Sequence, residues 1–114
     1  MQVTMCPERA IMEHVTSRWG VLVLQALSNG EAWRFSALRR ELELASEKML
    51  TQTLRTLERD GFVHREVLPV IPPHVEYTLT PLGKGAASHL VALAEWIFAH
   101  RGEVAEAQAG YDGS

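Results

Sequence analysis

The chain has little of what catalytic, secreted or membrane proteins need. One cysteine in 114 residues cannot form a disulfide within the chain, which fits a reducing compartment. The longest apolar stretch, VLVLQAL at 21–27, is far too short to span a bilayer, and the N-terminus is neither basic nor followed by a signal-like apolar run. The expected location is therefore the cytoplasm, with no membrane partner. There is no Gly-rich phosphate loop, no CxxC pair and no nucleophile elbow, and Cys6 has no sequence signature tying it to a catalytic histidine. His14, His64, His74, His89 and His100 are scattered; His89 and His100 can share a helix face, but no carboxylate or thiolate stands at metal-ligand spacing from them. No metal, no cofactor and no enzymatic activity are expected. The length suits one domain with a modest core, without room for a separate catalytic domain.

What the chain does have is concentrated between Trp33 and Gly83. Two short helices joined by a turn are expected there, followed by a β-hairpin. Ser36 is placed to cap a helix running to about Leu42, and Ser46 to cap a second that stops before Gly61. In the second helix Met49, Leu50, Leu54 and Leu57 recur at three- and four-residue spacing, so they should form the buried stripe that packs on Phe35, Leu38 and Leu42. The opposite face carries Glu47, Lys48, Thr51, Gln52, Arg55 and Arg59. Thr51, Gln52 and Arg55 are side chains suited to reading base edges in a major groove, Arg against guanine and Gln against adenine; a merely solvated polar face is the alternative.

After Gly61 the period becomes alternating. FVHREVL and HVEYTL are β-rich runs, and Pro69, Pro72 and Pro73 between them cannot donate to a ladder and belong at the tip. This is the layout of a winged helix-turn-helix, mainly α with a small β-hairpin. A wing beside a duplex brings His74 and Arg65 near the backbone, although His74 also suits an exposed loop.

Charge follows the same division. The net charge is −3, yet residues 34–65 carry seven Lys or Arg against five acids, a balance of +2, and the remainder four against nine, a balance of −5. Arg34, Arg39 and Arg40 are the expected phosphate neutralisers, with Lys48 at the groove edge and the cap residues Ser36 and Ser46 beside the backbone. Each of these arginines has a surface ion pair with Glu41 or Glu43 as its alternative.

The flanks add helices. PERAIMEHV, Pro7 to Val15, has Pro in its first turn, and a second helix is expected from Trp19 to Leu27 before the Asn29-Gly30 turn. Trp19 and Trp33 suit core or hinge packing. The longest helix should begin at Thr80, with Pro81 at its first position, and continue to about Arg101. Its apolar face of Leu82, Leu90, Leu93, Ala94, Trp96 and Ile97 is broader than a lone surface helix needs, so Leu90, Leu93, Trp96 and Ile97 are the expected contacts with a second subunit; covering the monomer's own core is the alternative. The tail from Gly102 has little to bury and is expected to fray, leaving 1–101 as the domain.

Several motifs occur together in one order: Cys6-Pro7, Trp19 before VLVLQAL, then Phe35, Ser36, Leu38, Arg39 and Arg40, then Ser46, Lys48, Met49, Leu50, Thr51 and Leu54, LERDGFVHR at 57–65 and PPHVEYTLTPLG at 72–83. In this respect the chain resembles the HxlR-type (DUF24) bacterial transcriptional regulators over about residues 5–98. His74 departs from that pattern, which often has Arg after the paired prolines; a permanent charge contact from wing to phosphate becomes pH-dependent. The resemblance implies a homodimer, built through the terminal helices, that presents two recognition helices to a pseudo-palindromic operator in double-stranded DNA, and repression is the expected output. It also implies that Cys6 is similar to the thiol through which some members sense oxidants. Its place at a helix start beside Arg9 favours a thiolate, while an inert buried cysteine is the alternative. Any disulfide would have to be intermolecular or with a small thiol. A small-molecule or oxidant effector fits this scheme. Two other functions stay open: a winged-helix module that binds protein, and a ligand or redox sensor without operator specificity.

Overall fold

The computed structural model describes residues 7–114. Helix α1 (Pro7–Thr16) and helix α2 (Arg18–Leu27) are followed by a two-residue strand β1 (Trp33–Arg34), helix α3 (Phe35–Glu41) and helix α4 (Glu47–Arg59). Strands β2 (Val63–Leu68) and β3 (His74–Leu79) come next, and the chain ends in helix α5 (Pro81–Ala99) and helix α6 (Arg101–Asp112). The sheet is antiparallel in the order β1-β3-β2, with Trp33 opposite Tyr77 and Val63 opposite Leu79. Strand β1 is too short to carry an alternating pattern, so the sequence indicated only a hairpin where three strands pair.

The core lies between α2, the α3–α4 pair, the sheet and the first half of α5. Val23, Leu24, Leu27, Leu38, Leu50 and Leu57 are wholly buried, with Leu42, Leu54, Phe62, Tyr77 and Leu79 close to it. Trp19 and Trp33 pack against this cluster, and the Trp33 indole donates to the side chain of Asn29 at 3.3 Å. Three details depart from the sequence pattern. Met49 is 42% exposed and leaves the stripe to Leu50, Leu54 and Leu57. Ser36 does not cap α3, whose N-cap is Arg34 without a side-chain hydrogen bond; pairing of β1 with β3 already fixes the chain there and starts the helix two residues early. Ser46 does cap α4, its hydroxyl accepting from the Met49 amide at 3.0 Å.

The passage from α4 to α5 is tied at one crossing. Gly61 takes φ +84°, open to glycine at little cost, and turns the chain from α4 into β2. Thr80, the N-cap of α5, donates its hydroxyl to the Gly61 carbonyl at 2.6 Å and its amide to the Phe62 carbonyl at 3.1 Å, and accepts from the Gly83 amide at 3.0 Å. Gly83 lies directly on the Phe62 backbone: a Cβ there would stand 1.9 Å from the Phe62 carbonyl oxygen.

Beyond Leu90, which packs on the core, α5 leaves the domain. Leu93, Trp96, Ile97 and Phe98 are more than half exposed in this chain. The helix breaks at His100, whose ring stacks on Trp96 with centroids 4.2 Å apart. The segment expected to fray is instead α6, which buries no residue. Five alanines and glutamates among residues 103–109 carry high helix propensity, enough to hold helical backbone hydrogen bonds without packing. No helix among the described residues is long and apolar enough to cross a membrane.

Two substitutions check these local causes. Gly83→Ala should lower stability by about 1–3 kcal/mol in thermal unfolding, because backbone must move to admit the methyl group, whereas helix propensity alone would raise stability by about 1 kcal/mol. Ser46→Ala should cost about 1 kcal/mol and Ser36→Ala close to nothing; equal effects would contradict the assignment of the caps.

Candidate nucleic-acid interface

Helix α3 ends at Leu42, whose amide bonds to the Leu38 carbonyl at 2.9 Å, and the Ala45 amide then bonds to the Leu42 carbonyl at 2.7 Å. Leu42 and Ala45 are both buried, so the turn between the helices is anchored in the core at both ends. Burial of Leu50, Leu54 and Leu57 on one side of α4 turns Lys48, Gln52, Arg55 and Arg59 outward, with Thr51 half-buried at the edge.

Thr51, Gln52 and Arg55 stand one turn apart on the same face and, with Glu47 and Lys48, line a single shallow concave surface. A neighbouring depression is lined by Phe35, Ser36, Arg39, Arg40, Glu43 and Glu47, so the two share Glu47. Thr53 and Thr56 have hydroxyls bonded to the carbonyls of Met49 and Gln52. The side chains of Thr51, Gln52 and Arg55 have no such bond among the described residues, which leaves their donors and acceptors available to a partner. Arg39 pairs not with Glu41 or Glu43 but with Glu47, Nη1 to Oε2 at 3.9 Å. Both side chains are more than half exposed, so water screens the pair and a phosphate can displace it.

The remaining expected backbone contacts are placed differently. Arg34 lies in β1 opposite Glu76 rather than in either concave surface. Ser46 has its hydroxyl engaged by the Met49 amide. His74 is the first residue of β3, opposite Leu68 in the last ladder pair before the wing tip, and its Nε2 lies 3.7 Å from Glu76 Oε2, so its ring is turned along the strand to an acid. Glu66 stands opposite Glu76 in the same ladder, and Arg65 opposite Tyr77. The wing tip, 69–73, has no charged residue and leaves Val70 and Ile71 exposed. The wing is thus more acidic and more apolar than a basic contact to phosphate requires. Cys6 lies outside the described residues.

Sequence reasoning missed one long-range contact altogether. His14 in α1 reaches Asp60 at the end of α4, Nδ1 to Oδ2 at 2.5 Å. Separated by 46 positions, the two residues share no periodic signal. The acid of the groove, Glu47, was legible as a polar residue of α4, but not its place between the two concave surfaces.

Known proteins share this arrangement. The HxlR-like helix-turn-helix family model matches residues 14–104. An HTH-type transcriptional regulator of Escherichia coli K12, YtfH, is 58% identical over 92 residues, which are 81% of this chain and 72% of that protein. The solved structure of the transcriptional regulator YtfH from Salmonella typhimurium superposes with a TM-score of 0.84 at 51% identity, covering 93% of this chain and 94% of that one. The redox regulator HypR in its reduced form superposes with a TM-score of 0.78 at 32% identity, covering 89% and 99% respectively. With its winged helix, its core-anchored turn and the outward polar face of α4, this chain belongs to the HxlR-like helix-turn-helix family of DNA-binding transcriptional regulators.

Proposed function

We propose that the chain acts as a homodimeric repressor that reads a pseudo-palindromic operator through α4. The observation that carries this reading is the concave surface on which Thr51, Gln52 and Arg55 lie side by side with no partner among the described residues. Arg55 has the planar fork that matches guanine O6 and N7, and Gln52 the paired donor and acceptor that match adenine. Arg39, Arg40 and Lys48 flank the surface and neutralise phosphates, with Ser36 beside them. Arg34, Ser46 and His74 are assigned a smaller share, since each is already engaged or faces away from the groove.

Dimerisation is supported by the apolar residues α5 carries beyond the core. Leu93, Trp96 and Ile97, with Phe98 beside them, form a surface too large to leave wet, and a second copy of the same surface is its natural cover. Leu90 contributes at the edge, between this surface and the core. A response to oxidants through Cys6 is a finer element of the same proposal. It is supported by the Cys-Pro placement ahead of α1 and by the similarity to HypR, which is named a redox regulator.

Fluorescence anisotropy on a duplex from upstream of the chain's own gene, with a scrambled duplex as reference, tests the reading. Arg55→Ala should cost about 1–3 kcal/mol on the cognate duplex and relax sequence choice, whereas Arg39→Ala should weaken both duplexes alike and lower the salt slope by about one. Equal losses on both duplexes for Arg55→Ala would sink its base-reading role and favour a protein partner for this face. In sedimentation, Trp96→Glu should convert a dimer to monomer; a wild-type monomer would overturn the dimer. Treatment with an oxidant should release the cognate duplex from the wild type and not from Cys6→Ser.

A further inference from the structure

The recognition helix is held by apolar packing on one side and, at its C-terminal end, by a single polar tie. Asp60 is the C-cap of α4, and its side chain is only 7% exposed. A carboxylate at that end faces the negative pole of the helix dipole and has lost most of its water, so it requires a donor. His14 supplies one: its Nδ1–H donates to Asp60 Oδ2 across 2.5 Å. Arg59 reaches the other oxygen only at 4.0 Å with a guanidinium that is mostly in water. On α1, the nearest charged neighbour of His14 is Glu13, which is paired with Arg9 at 3.4 Å.

Helix α1 has little else to hold it to α4. It buries no residue of its own, and Val15 is its one side chain packed against the core. Between α1 and α4 lies a cleft of about 260 Å³, lined on one wall by Glu13, His14 and Ser17 and on the other by α4 residues that include Gln52 and Thr53. The hydrogen bond joins the two helices beside this cleft. The buried Leu50, Leu54 and Leu57 set the rotation of α4 about its axis, and the His14–Asp60 bond adds a constraint at its C-terminal end. From Asp60 to Gln52 the helix rises about 12 Å, so a tilt of roughly 5° moves the reading face by about 1 Å, beyond the roughly 0.5 Å within which a binding constellation must be held.

We infer that His14 is a positioning residue for DNA recognition: through Asp60 it sets the tilt of α4, and a displacement of α1 is passed to the reading face by the same bond. The inference rests on α4 being the helix that reads bases. Its test compares His14→Ala, Asp60→Ala, the double variant and His14→Asn, whose amide nitrogen sits where Nδ1 does. Affinities for the cognate and scrambled duplexes are read by anisotropy, with thermal unfolding alongside and Arg55→Ala as a parallel control. Each single alanine variant should lower the ratio of cognate to scrambled affinity about three- to tenfold, the double variant no further, and His14→Asn should restore most of it. Affinity for the scrambled duplex and its salt slope should stay as in the wild type. A lowered melting temperature with an unchanged ratio, or losses that simply add in the double variant, would overturn the positioning role. If Arg55→Ala also leaves the ratio unchanged, base reading by α4 fails and the inference falls with it; if only Arg55→Ala lowers it, the inference alone is wrong. Should Asp60→Ala not fold, His14→Ala against His14→Asn carries the same comparison.

Discussion

Burial of Leu50, Leu54 and Leu57 against Leu38 and Leu42 is the contact on which the rest of the molecule depends. Each leucine taken from water stabilises the fold by about 1.5–3 kcal/mol, and truncating one to alanine costs about 2–5 kcal/mol. No surface ion pair on α3 or α4 approaches that magnitude. The apolar side of α4 therefore determines which residues point out, and the polar side follows without any stabilising contribution of its own. Thr51, Gln52 and Arg55 are free for a ligand because the core already holds the helix that carries them.

The second constraint is the crossing at Gly61, Phe62, Thr80 and Gly83, where the end of α4, the wing and the long helix α5 meet within a few residues. The two bonds from Thr80 and the contact of Gly83 with Phe62 give α5 a defined departure from the domain. That departure sets where the exposed apolar surface around Trp96 lies relative to the reading face, and hence the spacing that two copies would impose on half-sites. The proposed dimeric regulator would need both parts: a face of α4 presented by the core and a dimer surface held at a set place relative to it.

Much of this was legible in the sequence because it rests on local period and local chemistry. The three leucines, the Ser46 cap, the Thr80-Pro81 start and the change from a helical to an alternating pattern after Gly61 each report on neighbours a few residues away. The features that were not legible depend on distant partners. Strand β1 exists only because Trp33 and Arg34 find Tyr77 and Glu76, and the same pairing displaces Ser36 from its expected cap. His74 was expected beside a duplex or in an exposed loop; its contact with Glu76, two residues along the same strand, and its ladder partner Leu68 across the hairpin depend on a register that the prolines do not specify. The tie between His14 and Asp60 carries no pattern at all. Helix α6 was misjudged because absence of buried surface was weighed above the propensity of its alanines and glutamates.

The central claim, that the outward face of α4 enters DNA, is tested most directly by recording amide NMR shifts of the isotope-labelled protein as a duplex from upstream of its own gene is added. Perturbations concentrated on Thr51, Gln52 and Arg55, with weaker ones at Arg39 and Arg40, are the predicted result. Perturbations confined to α5 and α6, or none above those from a scrambled duplex, would contradict it.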